Sequence, residues 1–104
     1  MELNILLESM EKRPLMYIND YDIRILSAYL SGYFLGRAES SAYKLYEKNF
    51  DTFHNWVKDY YNAPKDTSWA NTILYYEASH KSAIEKFFKL YRQWHKEEFG
   101  EDAW

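Results

Sequence analysis

Apolar residues recur along this chain at helical spacing, and almost nowhere in the alternation of a strand. Leu3, Leu6, Leu7 and Met10 fall at i, i+3, i+4 and i+7, which predicts an amphipathic helix over residues 2–12 with one buried stripe. Pro14 ends it, since its ring removes a donor and pushes residue 13 out of helical geometry. Leu15 to Ile18 then reads as an extended apolar connector, and Asn19, Asp20 and Tyr21 as a turn. Asp20 or Asp22 is placed to accept the free amides that open a second helix over residues 22–37. That helix is apolar around most of its circumference, with a narrow polar line at Arg24, Ser27 and Ser31, and is expected at the centre of the fold. Ala28, Gly32 and Gly36 form a ridge of small residues on it, suited to close internal packing, with a homodimer contact as the alternative.

Residues 39–46 are small and polar and read as a loop or a ragged helix start. Helical spacing resumes at Glu47: Phe50, Phe53, Val57, Tyr60 and Tyr61 make the apolar side, and Glu47, Asp51, His54 and Lys58 the solvent side. The polar run from Asn62 to Thr67 breaks this third helix, and Ser68 can cap a shorter one carrying Trp69, Ile73 and Tyr76. Ser79 or Ser82 opens the last helix, Ser82 with Glu85 as a capping box, and Ile84, Phe87, Phe88, Tyr91 and Trp94 form its buried side up to Gly100. The expected fold is all-α: a compact bundle of about five helices in a single domain, residues 1–104.

Composition narrows the chemistry. The chain has no cysteine, which removes disulfides, thiolate catalysis and cysteine metal sites, and three glycines in no Gly-x-Gly pattern, which cannot shape a nucleotide cradle. No apolar run reaches the ~20 residues of a membrane span. The N-terminus is acidic where a secretory signal would be basic, so the expected location is cytoplasmic with no membrane partner. Asp51 and His54, and likewise Glu77 and His80, have the carboxylate-x-x-His spacing of di-iron bundles, but the inward carboxylates such a site needs on two further helices are missing; surface charge pairing is the expected reading. No serine sits in a glycine-flanked elbow. The expectation is a protein without catalytic residues, metal or cofactor.

Net charge is -3, the wrong sign for a generic nucleic-acid binder. The competing reading is a small regulator that tracks phosphates with Lys81, Lys89, Arg92, His95 and Lys96 along the last helix. That row lies opposite the apolar stripe, where solvated charges belong in any helix, and the acidic tail Glu97, Glu98, Glu101 and Asp102 can fold back on it.

Eleven tyrosines, six phenylalanines and four tryptophans are the strongest compositional signal. Phe50, Phe53, Trp69, Phe87, Phe88 and Trp94 hold core positions. A buried tyrosine hydroxyl needs a partner, and eleven partners are hard to find inside so small a core, so some tyrosines must reach the surface. Tyr17, Tyr21, Tyr43 and Tyr46, in or beside loops, are the expected exposed ones. With Asp20, Asp22, Glu47, Asp51 and His54 they make a candidate protein-docking surface.

Two resemblances bear on function. The octapeptide Glu11 to Ile18 looks like a segment of the ATPase domain of type II DNA topoisomerases such as the gyrase B subunit, but the glycine-rich ATP site of that domain has no counterpart here. A longer pattern runs through nearly the whole chain: Arg13-Pro14-x-Met16-Tyr17-Ile18, Phe50-x-x-Phe53-His54-x-Trp56-Val57, Ser68-Trp69-Ala70 ahead of an apolar helix, and Phe87-Phe88-x-Leu90. It is similar to small helical bacterial proteins that serve as immunity proteins of polymorphic toxin systems. The resemblance implies a non-catalytic inhibitor whose partner is a toxin domain made by the same cell, and it carries no binding residues with it, because such surfaces diverge with each toxin. Asn19 stands where the related pattern often has glycine, and asparagine tolerates the left-handed turn that glycine would supply.

Overall fold

A computed structural model describes residues 2–38, 47, 49–64 and 66–104. Among the described residues the elements are α1 (Leu3–Lys12), a 3-10 turn (Pro14–Met16), α2 (Ile23–Arg37), α3 (Asp51–Tyr61), α4 (Trp69–Glu77) and α5 (His80–Phe99), with no strand. The all-α bundle is therefore the architecture, and a radius of gyration of 13.1 Å matches the ~13 Å of a packed 100-residue domain. Residues 39–46, including Tyr43 and Tyr46, lie outside the described residues.

The helix at the centre is α5, not α2. It packs against α1, α2, α3 and α4, and it buries Ala83, Ile84, Phe87, Phe88, Leu90, Tyr91, Trp94 and His95. Its apolar stripe is the longest in the chain, so it can bury area against several neighbours at once, which decides the arrangement. Helix α2 fully buries only Ile23, Leu26 and Leu30; Ile25, Tyr33 and Phe34 are half-buried against the core, and Tyr29 and Leu35 are exposed. The small-residue ridge faces outward too: Ala28, Gly32 and Gly36 are exposed, and a Cβ placed on either glycine would meet nothing within 4 Å. Internal packing on that ridge is thus corrected.

Helix α4 and α5 form a hairpin that turns at Ala78 and Ser79. Ala78 takes the left-handed conformation, φ 66°, and Ser79 rather than Ser82 caps α5, its Oγ accepting from Ser82 N at 3.2 Å. Ser68 Oγ caps α4 by accepting from Asn71 N, and Asp22 caps α2 by accepting from Arg24 N at 2.8 Å. Gly100, φ 73°, ends α5 as expected. Positive φ falls at Asn62, Ala78 and Gly100 among the described residues, and not at Asn19. Leu15 to Ile18 is not extended: the 3-10 turn leaves Leu15 and Met16 exposed and only Ile18 buried.

Aromatic rings fill the space between α3, α4 and α5. Phe53 meets Trp69 and Trp94 edge-on at 5.7 Å, Trp69 stacks on Phe87 at 4.9 Å, and Phe50 lies against Phe53 at 5.1 Å. The six aromatic core positions read from the sequence are all buried.

Buried polar groups tie distant segments together, because each must find a partner to offset its lost hydration. Tyr91 donates its hydroxyl to Asn4 Oδ1, Asn4 Nδ2 lies 3.2 Å from His95 Nε2, and His95 Nδ1 lies 2.9 Å from the Glu101 carbonyl. If Asn4 donates to Nε2, the neutral imidazole carries its proton on Nδ1 and gives it to Glu101. Beside this chain, Trp104 stacks on Tyr91 at 5.8 Å, donates to Glu11 at 3.1 Å and lies under the Arg92 guanidinium, itself bonded to Glu11. The acidic tail does fold back, with Asp102 3.5 Å from Lys96.

Candidate functional site

The structure disperses the docking surface expected from the sequence. Asp22 is used locally: it caps α2, pairs with Arg24 at 3.0 Å and lies 3.3 Å from His80 Nδ1. The hydrogen bond from Arg24 holds its carboxyl at about 2, below the usual carboxylate range. His80 Nδ1 is also 3.2 Å from Ile23 N, so the imidazole joins the start of α2 to the start of α5. Asp20 accepts from Tyr21 N at 2.7 Å, and Tyr17 is half-buried with its ring edge-on to Tyr29. Tyr21 is exposed and borders a groove of about 370 Å³ with Glu11, Lys12, Lys81, Ile84 and Lys89.

Asp51 and His54 belong to another region. Asp51 is exposed and His54 half-buried near the start of α3, where Thr52 accepts from Trp94 Nε1. Ile84 of the groove and Trp94 are ten residues apart on α5, about 15 Å along its axis.

Glu47 corrects the surface reading outright. Its side chain is fully enclosed, and its carboxylate accepts from Leu3 N at 2.9 Å and from Tyr33 at 2.7 Å and pairs with Arg37 at 3.0 Å. Glu2 offers α1 no side-chain cap, so Glu47 supplies from a distant segment the acceptor that the first amide of α1 needs. Burial, and then the bond to Glu47, raise the Tyr33 phenol above its usual range. Lys58 was expected in the same solvent face and is also fully buried. Its ammonium donates to Thr67 Oγ1, to Thr72 Oγ1 at 2.6 Å and to the Ser68 carbonyl at 3.4 Å. Thr67 and Ser68 of the loop between α3 and α4 close over Lys58, which helical spacing alone cannot register.

The phosphate-tracking row loses one member to the interior of the fold and has another engaged by neighbours. His95 is buried in the Asn4 and Tyr91 chain, and Arg92 is occupied by Glu11 and Trp104. Lys81 and Lys89 share the groove with the acids Glu11 and Glu85. Among the described residues no three of His, Cys, Asp or Glu are grouped to hold a metal ion, and no helix is long and apolar enough to cross a membrane. Glu77, half of one carboxylate-x-x-His pair, instead accepts from Tyr61 at 3.1 Å.

What the structure does assemble is a ladder of rings running from the core to solvent across α3 and α4. Phe53 stacks on Trp56 at 6.2 Å and Trp56 on Tyr60 at 5.6 Å. Tyr60 meets Tyr61 edge-on at 4.8 Å, Tyr61 stacks on Tyr76 at 4.6 Å with planes 6° apart, and Tyr76 meets Tyr75 edge-on at 5.0 Å. Phe53 is buried and Trp56 and Tyr61 are half-buried, while Tyr60 and Tyr76 are 44% exposed and Tyr75 79%. Burial and the bond to Glu77 push the Tyr61 phenol above its usual range. The Lys86 ammonium lies 5.3 Å over the Tyr60 ring.

Beside the outer rungs is a pocket of about 410 Å³, walled by Ala63 and Pro64 of the loop and by Tyr75 and Tyr76, with Thr67, Asn71 and Thr72 as its polar groups. Spacing puts Tyr60 and Tyr61 on the apolar side of α3 and Tyr76 on α4, yet of the three only Tyr61 is even half-buried. A signal for this patch was present: Tyr60-Tyr61 and Tyr75-Tyr76 are adjacent pairs, and neighbours on a helix diverge by about 100°, so a narrow stripe cannot take both. Comparison of the chain with protein-family models, curated proteins and solved structures finds no match.

Proposed function

We propose that this chain is a non-catalytic protein-binding module, and specifically a cytoplasmic bacterial immunity protein that neutralises a cognate toxin by stoichiometric binding. The observation that carries the reading is the ladder ending at Tyr60, Tyr75 and Tyr76. Solvent-facing tyrosines offer apolar area with a hydrogen-bonding tip at small entropic cost, the composition that protein interfaces concentrate. Stacked rings are held in place before binding, so little freedom is lost when a partner covers them. Asp66 and Glu77, which adjoin the ladder and its pocket in the chain, and the net charge of -3 favour encounter with a basic partner. The resemblance to immunity proteins supplies the toxin as that partner.

Co-expression with the product of the adjoining gene tests the reading. A complex that survives purification and a rescue of growth are expected, and replacing Tyr60, Tyr75 and Tyr76 together by serine should abolish both without moving the thermal melt. Absence of complex and of rescue with the unaltered chain would refute it.

A further inference from the structure

We propose that His80 is a proton-operated latch between the starts of α2 and α5: neutral, it holds the Ile23 amide, and protonated, it releases that amide and turns to Asp22. The inference needs no partner and stands apart from the protein-binding reading. His80 Nδ1 lies 3.2 Å from Ile23 N and 3.3 Å from Asp22 Oδ1. A ring nitrogen carries either a lone pair or a proton, so it can accept from the first or donate to the second, but not both. The backbone N–H can only donate, which puts the lone pair on Nδ1 and the ring proton on Nε2 in this arrangement.

The state of the amide makes this choice consequential. Ile23 is wholly buried and opens α2, and its N–H has no other acceptor among the described residues, since the Asp22 carboxylate is taken up by the Arg24 amide and guanidinium. His80 is 31% exposed at its side chain, so a proton from solvent can enter Nδ1 and raise the charge of the junction by one. The amide then faces an N–H and loses its acceptor. The imidazolium gains a charge-assisted bond to Asp22, which stays ionised because the hydrogen bond from Arg24 holds its pKa at about 2. Of the charged groups around the ring, Asp22 and Arg24 come from α2, and Lys81 is its neighbour on α5. Glu77 at the end of α4 accepts from Tyr61, Asp20 accepts from Tyr21 N, and Glu11 and Lys12 of α1 meet α5 a turn further on, beside Ile84 and Phe88. The side-chain contacts of α3 with α5, at Lys86, Phe87, Trp94 and Glu97, lie further still.

The test follows the full chain by NMR from roughly pH 8 to pH 5, the range in which histidine titrates. At the alkaline end, the imidazole nitrogen spectrum should show His80 Nδ1 without a proton and coupled through the hydrogen bond to Ile23 N. On acidification the protection of the Ile23 amide, taken relative to the intrinsic exchange rate at each pH, should fall about fivefold or more, as the loss of one hydrogen bond implies. The fall should share its midpoint with the titration of the His80 ring, and the Phe87 amide in the middle of α5 should not change. His80→Asn, whose Oδ1 falls near the place of Nδ1 and does not titrate, should remove the step. A proton on Nδ1 at the alkaline end, Ile23 protection that ignores the ring titration, an equal fall at Phe87, or a step that survives His80→Asn would each overturn the assignment.

Discussion

Replacing Glu47 by alanine removes a carboxylate that no water reaches, and the cost can be assembled from what is left behind. The Leu3 amide belongs to a fully buried residue and is one of the free amides of the α1 terminus; losing the Glu47 acceptor at 2.9 Å costs about 1–2 kcal/mol. The Tyr33 hydroxyl is half-buried and can partly rehydrate, for about 1 kcal/mol. Arg37 is 16% exposed at its side chain and can turn outward, so its loss is smaller, while the vacated methylenes leave a void worth roughly 1 kcal/mol. The total is about 3 kcal/mol, in line with the roughly 3–5 kcal/mol of breaking a buried pair from one side. For a domain of this size that lowers the melting temperature by roughly 12–24 °C. Glu47→Gln should cost less, about 1–2 kcal/mol, because Oε1 alone accepts from both Leu3 and Tyr33 and an amide oxygen there keeps both bonds, while the Oε2 contact to Arg37 is lost. Guanidinium unfolding at pH 7, followed by tryptophan fluorescence, measures both. A loss under about 1 kcal/mol for Glu47→Ala with an unchanged m value, or glutamine no milder than alanine, would refute the claim that this carboxylate caps α1.

Trp69→Ala should cost on the order of 3 kcal/mol in the same assay, since the ring is wedged against Phe50, Phe53 and Phe87; a near-neutral shift would contradict its place in the core. Ala78→Gly should stabilise by about 0.5–1 kcal/mol and raise the melting temperature by several degrees, because glycine takes the left-handed turn between α4 and α5 without a Cβ penalty; destabilisation would mean that the methyl group has a packing role. Asp22 has a folded pKa of about 2 against an ordinary 3.8, so its contribution is present above about pH 4 and is lost as pH falls toward 2. Urea unfolding between pH 5 and pH 2 should therefore show a shallower acid loss for Asp22→Asn than for the unaltered chain, and parallel curves would contradict the Arg24 assignment.

Periodicity and end signals by themselves determined the order and approximate limits of the described helices, the cap at Ser68, the stop at Gly100 and the aromatic core residues, and narrowed the α2 cap to Asp20 or Asp22. Each of these depends on neighbours within one or two turns, and local spacing records such neighbours directly. Only the tertiary structure decided which helix is central, that Glu47 and Lys58 face inward, that His95 and Arg92 leave the basic row, and that the tyrosines gather at the outer ends of α3 and α4. A polar side chain is buried when a partner from a distant segment offsets its desolvation, as Leu3 does for Glu47 and Thr72 for Lys58. An apolar one stays exposed when no neighbour covers its side of the helix, as at Leu35 and Tyr75. Both outcomes turn on contacts between residues far apart in the chain, to which a local pattern such as the adjacent tyrosine pairs gives only a partial clue.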